Sequence, residues 1–285
     1  MATQTAVPIA PHRFAFGYYR QVWWNWLIAT AFFCGGLGGG LFLVSLLTGE
    51  AVGMVVGYLI VMVGKNTAHL LYLGRPVRFW RAAMRPDRSW IARGIWACGF
   101  FGLSGLVCVL PAVFGPEWQV TGAAGTVAVW VAGISALFIM FYDGMVMNSS
   151  RAIPFWNTGM LPVLILMYAT LGGTTLSLTL RGMFGLDGGA MPSLQRLEHY
   201  LLLVNLALLG IYLWRMSTRV AAARETVRLL LKGPYARAFL GLVLAVGLGA
   251  TLLLSFVESR VHAEWLLLVI AACELTGDFT LVIVL

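Results

Sequence analysis

Eight long apolar runs dominate this chain and leave it almost no choice of solvent. They cover approximately residues 22–47, 51–72, 93–114, 120–147, 159–181, 197–216, 237–257 and 264–285. A helix needs about 20 apolar residues to cross the hydrocarbon core of a bilayer, and the runs are of that order. They are continuous rather than alternating, which argues against a transmembrane β-barrel. Composition agrees, with 60% of the 285 residues hydrophobic and 11% charged; a water-soluble domain has roughly 45–50% and 25%. The expected fold is an all-α membrane protein of about eight transmembrane helices. Residues 1–21 lack a basic stretch followed by an apolar one, so they read as an interfacial segment and not as a cleaved signal peptide.

With eight spans, both termini lie on one face, here called the N side, together with the connections 73–92, 148–158 and 217–236. The far side receives the short connections near 48–50, 115–119, 182–196 and 258–263. Of the 19 Lys and Arg residues, all but Arg181, Arg196 and Arg260 fall to the N side. Cationic loops stay in the cytoplasm, so the N side is expected to be cytoplasmic. Basic loops that dock an acidic partner would give the same pattern. Phe14, Phe16, Tyr18, Tyr19, Trp23, Trp24 and Trp26 crowd the start of the first helix, as in an aromatic belt at the headgroups.

Ionisable side chains are costly in hydrocarbon and mark function by default. Lys65 and His69 are four residues apart and share a face of the second helix. Tyr142 and Asp143 lie near the end of the fourth, Glu274 and Asp278 are four apart on the eighth, and Asn25 opens the first. Given the direction of each span, all lie in the N-side half except Glu274, which is somewhat deeper. The far halves are expected to be nearly free of charge. A polar pocket or proton route reaching into one leaflet is the reading; a full channel needs polar groups at all depths.

Other chemistries are disfavoured. Cys34, Cys98, Cys108 and Cys273 are scattered through apolar segments, whereas iron–sulfur and zinc sites need clustered thiolates; no metal site and no iron–sulfur cluster are expected in this chain. Haem b needs facing axial ligands, and of His12, His69, His199 and His262 only His69 is read as touching a span, so no haem is expected. The run Gly35 to Gly40 lies mid-span with no strand before it, which fits close helix packing and not a nucleotide loop. Arg219, Arg224, Arg228, Lys232 and Arg237 read as a membrane-surface or docking segment. Their charge tracks span ends, so nucleic acid binding is not expected.

Two ordered stretches carry a resemblance. One is His69 to Ala82 (HLLYLGRPVRFWRA) followed by Pro86 to Gly94 (PDRSWIARG); the other is Tyr142 to Asn157 (YDGMVMNSSRAIPFWN). With the Trp-rich start and Gly-rich middle of the first helix, they resemble the NrfD/PsrC family, the membrane-anchor subunits of respiratory molybdoenzymes such as polysulfide reductase. The likeness covers the first four or five helices well and the last three in outline. It implies two four-helix bundles, here 22–158 and 159–285, in a prokaryotic inner membrane. It further implies a ferredoxin-like, multi-cluster iron–sulfur subunit docked on the N side and a molybdopterin catalytic subunit beyond it. An exchangeable menaquinone or ubiquinone would bind near the closest cluster.

Tyr142 matches a tyrosine that contacts quinone in that family; Asn25, Trp26 and His69 are the other expected quinone contacts. Asp143, Lys65, Glu274 and Asp278 are expected to move protons, and Arg75, Arg78, Trp80 and Arg81 to face the docked subunit. The chain departs from the family at Ile28 and Ala31, apolar where polar quinone contacts can occur. The alternative is a proton-translocating or transporter-like module without direct quinone chemistry, which would show polar residues through the full depth and inverted repeats. A purely structural anchor would leave the buried charges unexplained.

Overall fold

The computed structural model describes residues 24–186 and 189–285, so the expected interfacial segment 1–21 lies outside the described residues. The described residues are mainly helical, without strands. Eight helices are long and apolar enough to cross a membrane: α1 (Trp26–Thr48), α2 (Ala51–Tyr72), α3 (Trp90–Phe114), α4 (Gly122–Asn148), α5 (Met160–Phe184), α6 (Met191–Ser217), α8 (Arg237–Val261) and α9 (Glu264–Val284). Between α6 and α8 lies an amphipathic helix, α7 (Ala221–Lys232).

Local chemistry sets the ends. Asn25 caps α1 by accepting from the Leu27 amide at 3.0 Å, satisfying one orphan donor of the first turn. Glu50 caps α2: its two oxygens accept from the Gly53 amide at 2.9 and 2.8 Å, and the Ser45 hydroxyl donates to it. That acid is buried in the α1–α2 turn, which explains one far-side charge without function. α7 turns Ala223, Val227 and Leu230 inward and leaves Arg224, Arg228 and Lys232 exposed. Arg228 bonds Glu225 at 2.8 and 2.5 Å and so holds that carboxyl below the usual carboxylate range.

α1 is the central helix, packed against α2, α4, α5 and α9. Its glycines permit this, as the sequence suggested. A Cβ on Gly40 would land on the Ala169 carbonyl of α5, and one on Gly173 would land on the Gly40 backbone. With no hydrophobic drive between helices in lipid, such close approach supplies the dispersion contact that holds them. The chain passes from α4 to α5 at 149–159, but α1 packs along α5 as closely as α3 along α4.

Three helices outrun their hydropathy. α5 extends to Phe184, α6 starts at Met191 and α8 runs to Val261, where apolar runs alone gave 181, 197 and 257. Glu258 falls in an added turn and Arg181 and Glu198 sit at the edges of their apolar runs, and the three are 4%, 3% and 2% exposed. The far halves are therefore not free of charge, contrary to the sequence expectation. Hydropathy reads a carboxylate as a loop signal, but a partnered carboxylate can continue a helix.

Candidate functional site

On the N-side half of α2 the backbone widens into π-type turns over Ile60–Lys65, a deformation common at functional positions. It delivers Lys65 into the protein, 2% exposed, where Nζ meets Oδ1 of Asp143 on α4 at 3.1 Å. Nζ also approaches the Ala31 carbonyl at 3.5 Å and lies 5.6 Å from the Phe32 ring centre and 5.1 Å from that of Tyr142. Gly35 makes this possible, because a Cβ there would sit 2.6 Å from Nζ and 2.9 Å from Cδ. Lys65 thus does not snorkel to the headgroups.

Asp143 is 1% exposed and its second oxygen, Oδ2, has no partner among the described residues. A dry, half-satisfied carboxylate is costly and is suited to receive a proton, a water or a donor from a bound molecule. Tyr142 lies on the other side of Lys65, packed against α3 where Gly94 leaves room for its ring. One turn beyond Lys65, His69 sets Nδ1 3.1 Å from the Lys65 carbonyl, and its ring is 6.2 Å from Phe32.

Phe32 separates this cluster from an N-side pocket of about 210 Å³. Trp24, Asn25, Trp26, Phe32, Met147 and Trp156 line it, together with Val282 and Ile283 of α9 and Leu285 just after it. Trp24 packs on Trp156 at 4.9 Å and on Phe32 at 5.5 Å between ring centres. The Trp156 indole is fixed by donating to the Leu285 carbonyl at 2.6 Å. The result is an aromatic slot with amide and indole groups at its mouth.

The residues singled out from the sequence therefore fall into four places. Lys65, Tyr142, Asp143 and His69 come together around one buried charge pair. Asn25 and Trp26 line the adjoining pocket instead; Trp26 is 65% exposed on its rim. Arg75, Arg78, Trp80 and Arg81 lie exposed in and beside the 3₁₀ segment Pro76–Met84, where the Arg81 guanidinium stacks 5.4 Å from the Trp80 ring centre. Glu274 and Asp278 are in neither group; they are buried where α9 meets α5. His199 is a second histidine within a span, in the far half of α6 and stacked on Phe256 at 4.4 Å. It does not face His69 across the bundle.

Sequence reasoning missed the polar partners in the far half: Thr175, Gln195, Glu198, Ser255 and Glu258. Gln195 with Glu198 and Ser255 with Glu258 are each three residues apart, and that shared helical face was the available signal.

Fold and site together define a polytopic helical membrane protein that buries an ion pair beside an aromatic pocket, both near a strongly basic face. A family model, polysulphide reductase NrfD, matches residues 16–285, nearly the whole chain. The chain belongs to the NrfD family, whose members are membrane subunits of oxidoreductase complexes. No curated protein matches it significantly.

Proposed function

We propose that this chain anchors an electron-transferring partner to the membrane and exchanges electrons and protons with the quinone pool at the N-side pocket. The observation that carries the reading is the juxtaposition of an aromatic slot with the buried Lys65–Asp143 pair across Phe32. At about 210 Å³ the slot falls below the roughly 300–1,000 Å³ that encloses a drug-sized ligand. It suits a quinone ring whose isoprenoid tail stays in the bilayer. Menaquinone and ubiquinone both meet that description.

Reduction of a quinone consumes two electrons and two protons. In this reading Asn25 bonds one carbonyl at the pocket mouth, while Tyr142 and His69 serve a head group that penetrates past Phe32. Asp143, held by Lys65, passes the proton. The electrons arrive through a ferredoxin-like iron–sulfur subunit seated on the basic loops, with Arg75, Arg78, Trp80 and Arg81 in its footprint. A molybdopterin subunit lies beyond. The N side is then cytoplasmic by its charge, in a prokaryotic inner membrane.

The test is purification of the complex from its native membrane, followed by quinol titration. Co-purification of an iron–sulfur subunit and a quinol-dependent change in its clusters support the reading. A chain that purifies alone, and whose membranes show no quinol-linked electron transfer, overturns it.

A further inference from the structure

The connection between α2 and α3 carries the 3₁₀ segment Pro76–Met84, nine residues long and with none of them buried. Such helices have poor hydrogen-bond geometry and rarely run beyond three or four residues, so this one needs support from outside. It rests on α3, and side chains in the first two turns of α3 supply the support. The Trp96 indole donates to the Ala83 carbonyl at 3.1 Å. The Arg93 guanidinium donates from Nε to the Pro86 carbonyl at 2.8 Å and from Nη2 to the Asp87 carbonyl at 3.1 Å. The same guanidinium lies 4.5 Å from the centre of the Trp90 ring. All three bonds go to backbone carbonyls, so they use no side chain of the segment.

In a 3₁₀ turn the side chains at i and i+3 eclipse, with about 2.0 Å of rise per residue. The turn begins where the Arg78 amide donates to the Arg75 carbonyl at 3.0 Å. Arg75, Arg78 and Arg81 therefore form one edge, its cations about 6 Å apart. Val77 and Trp80 form the next edge and are 86% and 49% exposed. Asp87 is the one acid within 73–92, and it pairs with Arg88 at 3.3 Å. No carboxylate among the described residues pairs with Arg75, Arg78 or Arg81.

We propose that Arg93 and Trp96 are positioning residues, which hold this ribbon ready for a protein that sets a row of carboxylates about 6 Å apart beside an apolar strip. Acids four residues apart on a helix have about that spacing, from a rise of about 1.5 Å per residue. A ribbon ordered before contact avoids the cost of ordering it on docking. Fluid headgroups impose no spacing on the cations they meet, whereas a folded partner does, and a braced register serves the second. The inference rests on the docking of an iron–sulfur subunit proposed above and adds the residues that shape its seat.

The test uses the complex in phosphatidylglycerol nanodiscs and two variants that keep the net charge, Arg93→Lys and Trp96→Phe. Without the subunit, amide exchange should quicken over 76–88 in both variants and stay unchanged in α1, α4 and α5, where an intact fold is read. The subunit should leave Trp96→Phe about 2–10-fold faster than wild type, the range for one lost neutral hydrogen bond. It should leave Arg93→Lys about 10–100-fold faster, because lysine lacks the fork that spans two carbonyls. The salt dependence of release should match wild type in both, since no docking charge is removed, and should change in Arg78→Glu. A carbodiimide, which joins amines to carboxylates, should link the complex carrying Arg78→Lys to an Asp or Glu of the subunit. Unchanged exchange over 76–88, unchanged release or no such link overturns the inference. So does equal protection of 76–88 with and without the subunit, which assigns the ribbon to lipid. If charge reversal of Arg75 and Arg81 leaves retention untouched, the docking reading itself fails; if reversal acts and the two brace variants do not, only this inference fails.

Discussion

Asp143→Asn removes the negative partner of a lysine that is 2% exposed and cannot swing away, because Gly35, Phe32 and Tyr142 close in around Nζ. Breaking a buried ion pair from one side leaves an uncompensated charge and costs about 3–5 kcal/mol. Lys65→Met should cost a similar amount by leaving Asp143 alone. The double variant Lys65→Met, Asp143→Leu removes both desolvation penalties and should lie near wild type or above it, within about 1–4 kcal/mol. The four free cysteines are half-buried in the spans, so a thiol-reactive fluorophore reports unfolding in detergent. The expected pattern is two destabilised single variants and a rescued double variant that has lost quinol turnover. Two single-variant costs that simply add in the double variant would refute a direct Lys65–Asp143 interaction, and with it the geometry of the site.

Tyr142→Phe keeps the ring that packs against Gly94 and should slow quinol turnover while the complex stays assembled; unchanged quinol kinetics would move the head group elsewhere. Gly173→Ala places a methyl on the Gly40 backbone and should cost about 1–3 kcal/mol by overpacking, read as a lower unfolding temperature. Reversing Arg75 and Arg81 to Glu should weaken retention of the iron–sulfur subunit, increasingly so at high salt because exposed charges are screened. Retention insensitive to both would remove this face from the docking surface.

The sequence by itself determined the solvent, the number of spans, and the residues that had to be explained. Continuous apolar length is a local property, and a lysine or aspartate in such a run is costly wherever the neighbouring helices lie. The i, i+4 spacings of Lys65 with His69 and of Glu274 with Asp278 were legible for the same reason. Tertiary structure alone decided which of those residues meet. Lys65 and Asp143 are 78 positions apart, and only the packing of α2 and α4 beside α1 pairs them. It also buried Glu198 and Glu258 among the helices. A carboxylate looks like a helix end until a hydroxyl or amide from another helix satisfies it, and no one-dimensional pattern states where that partner will stand.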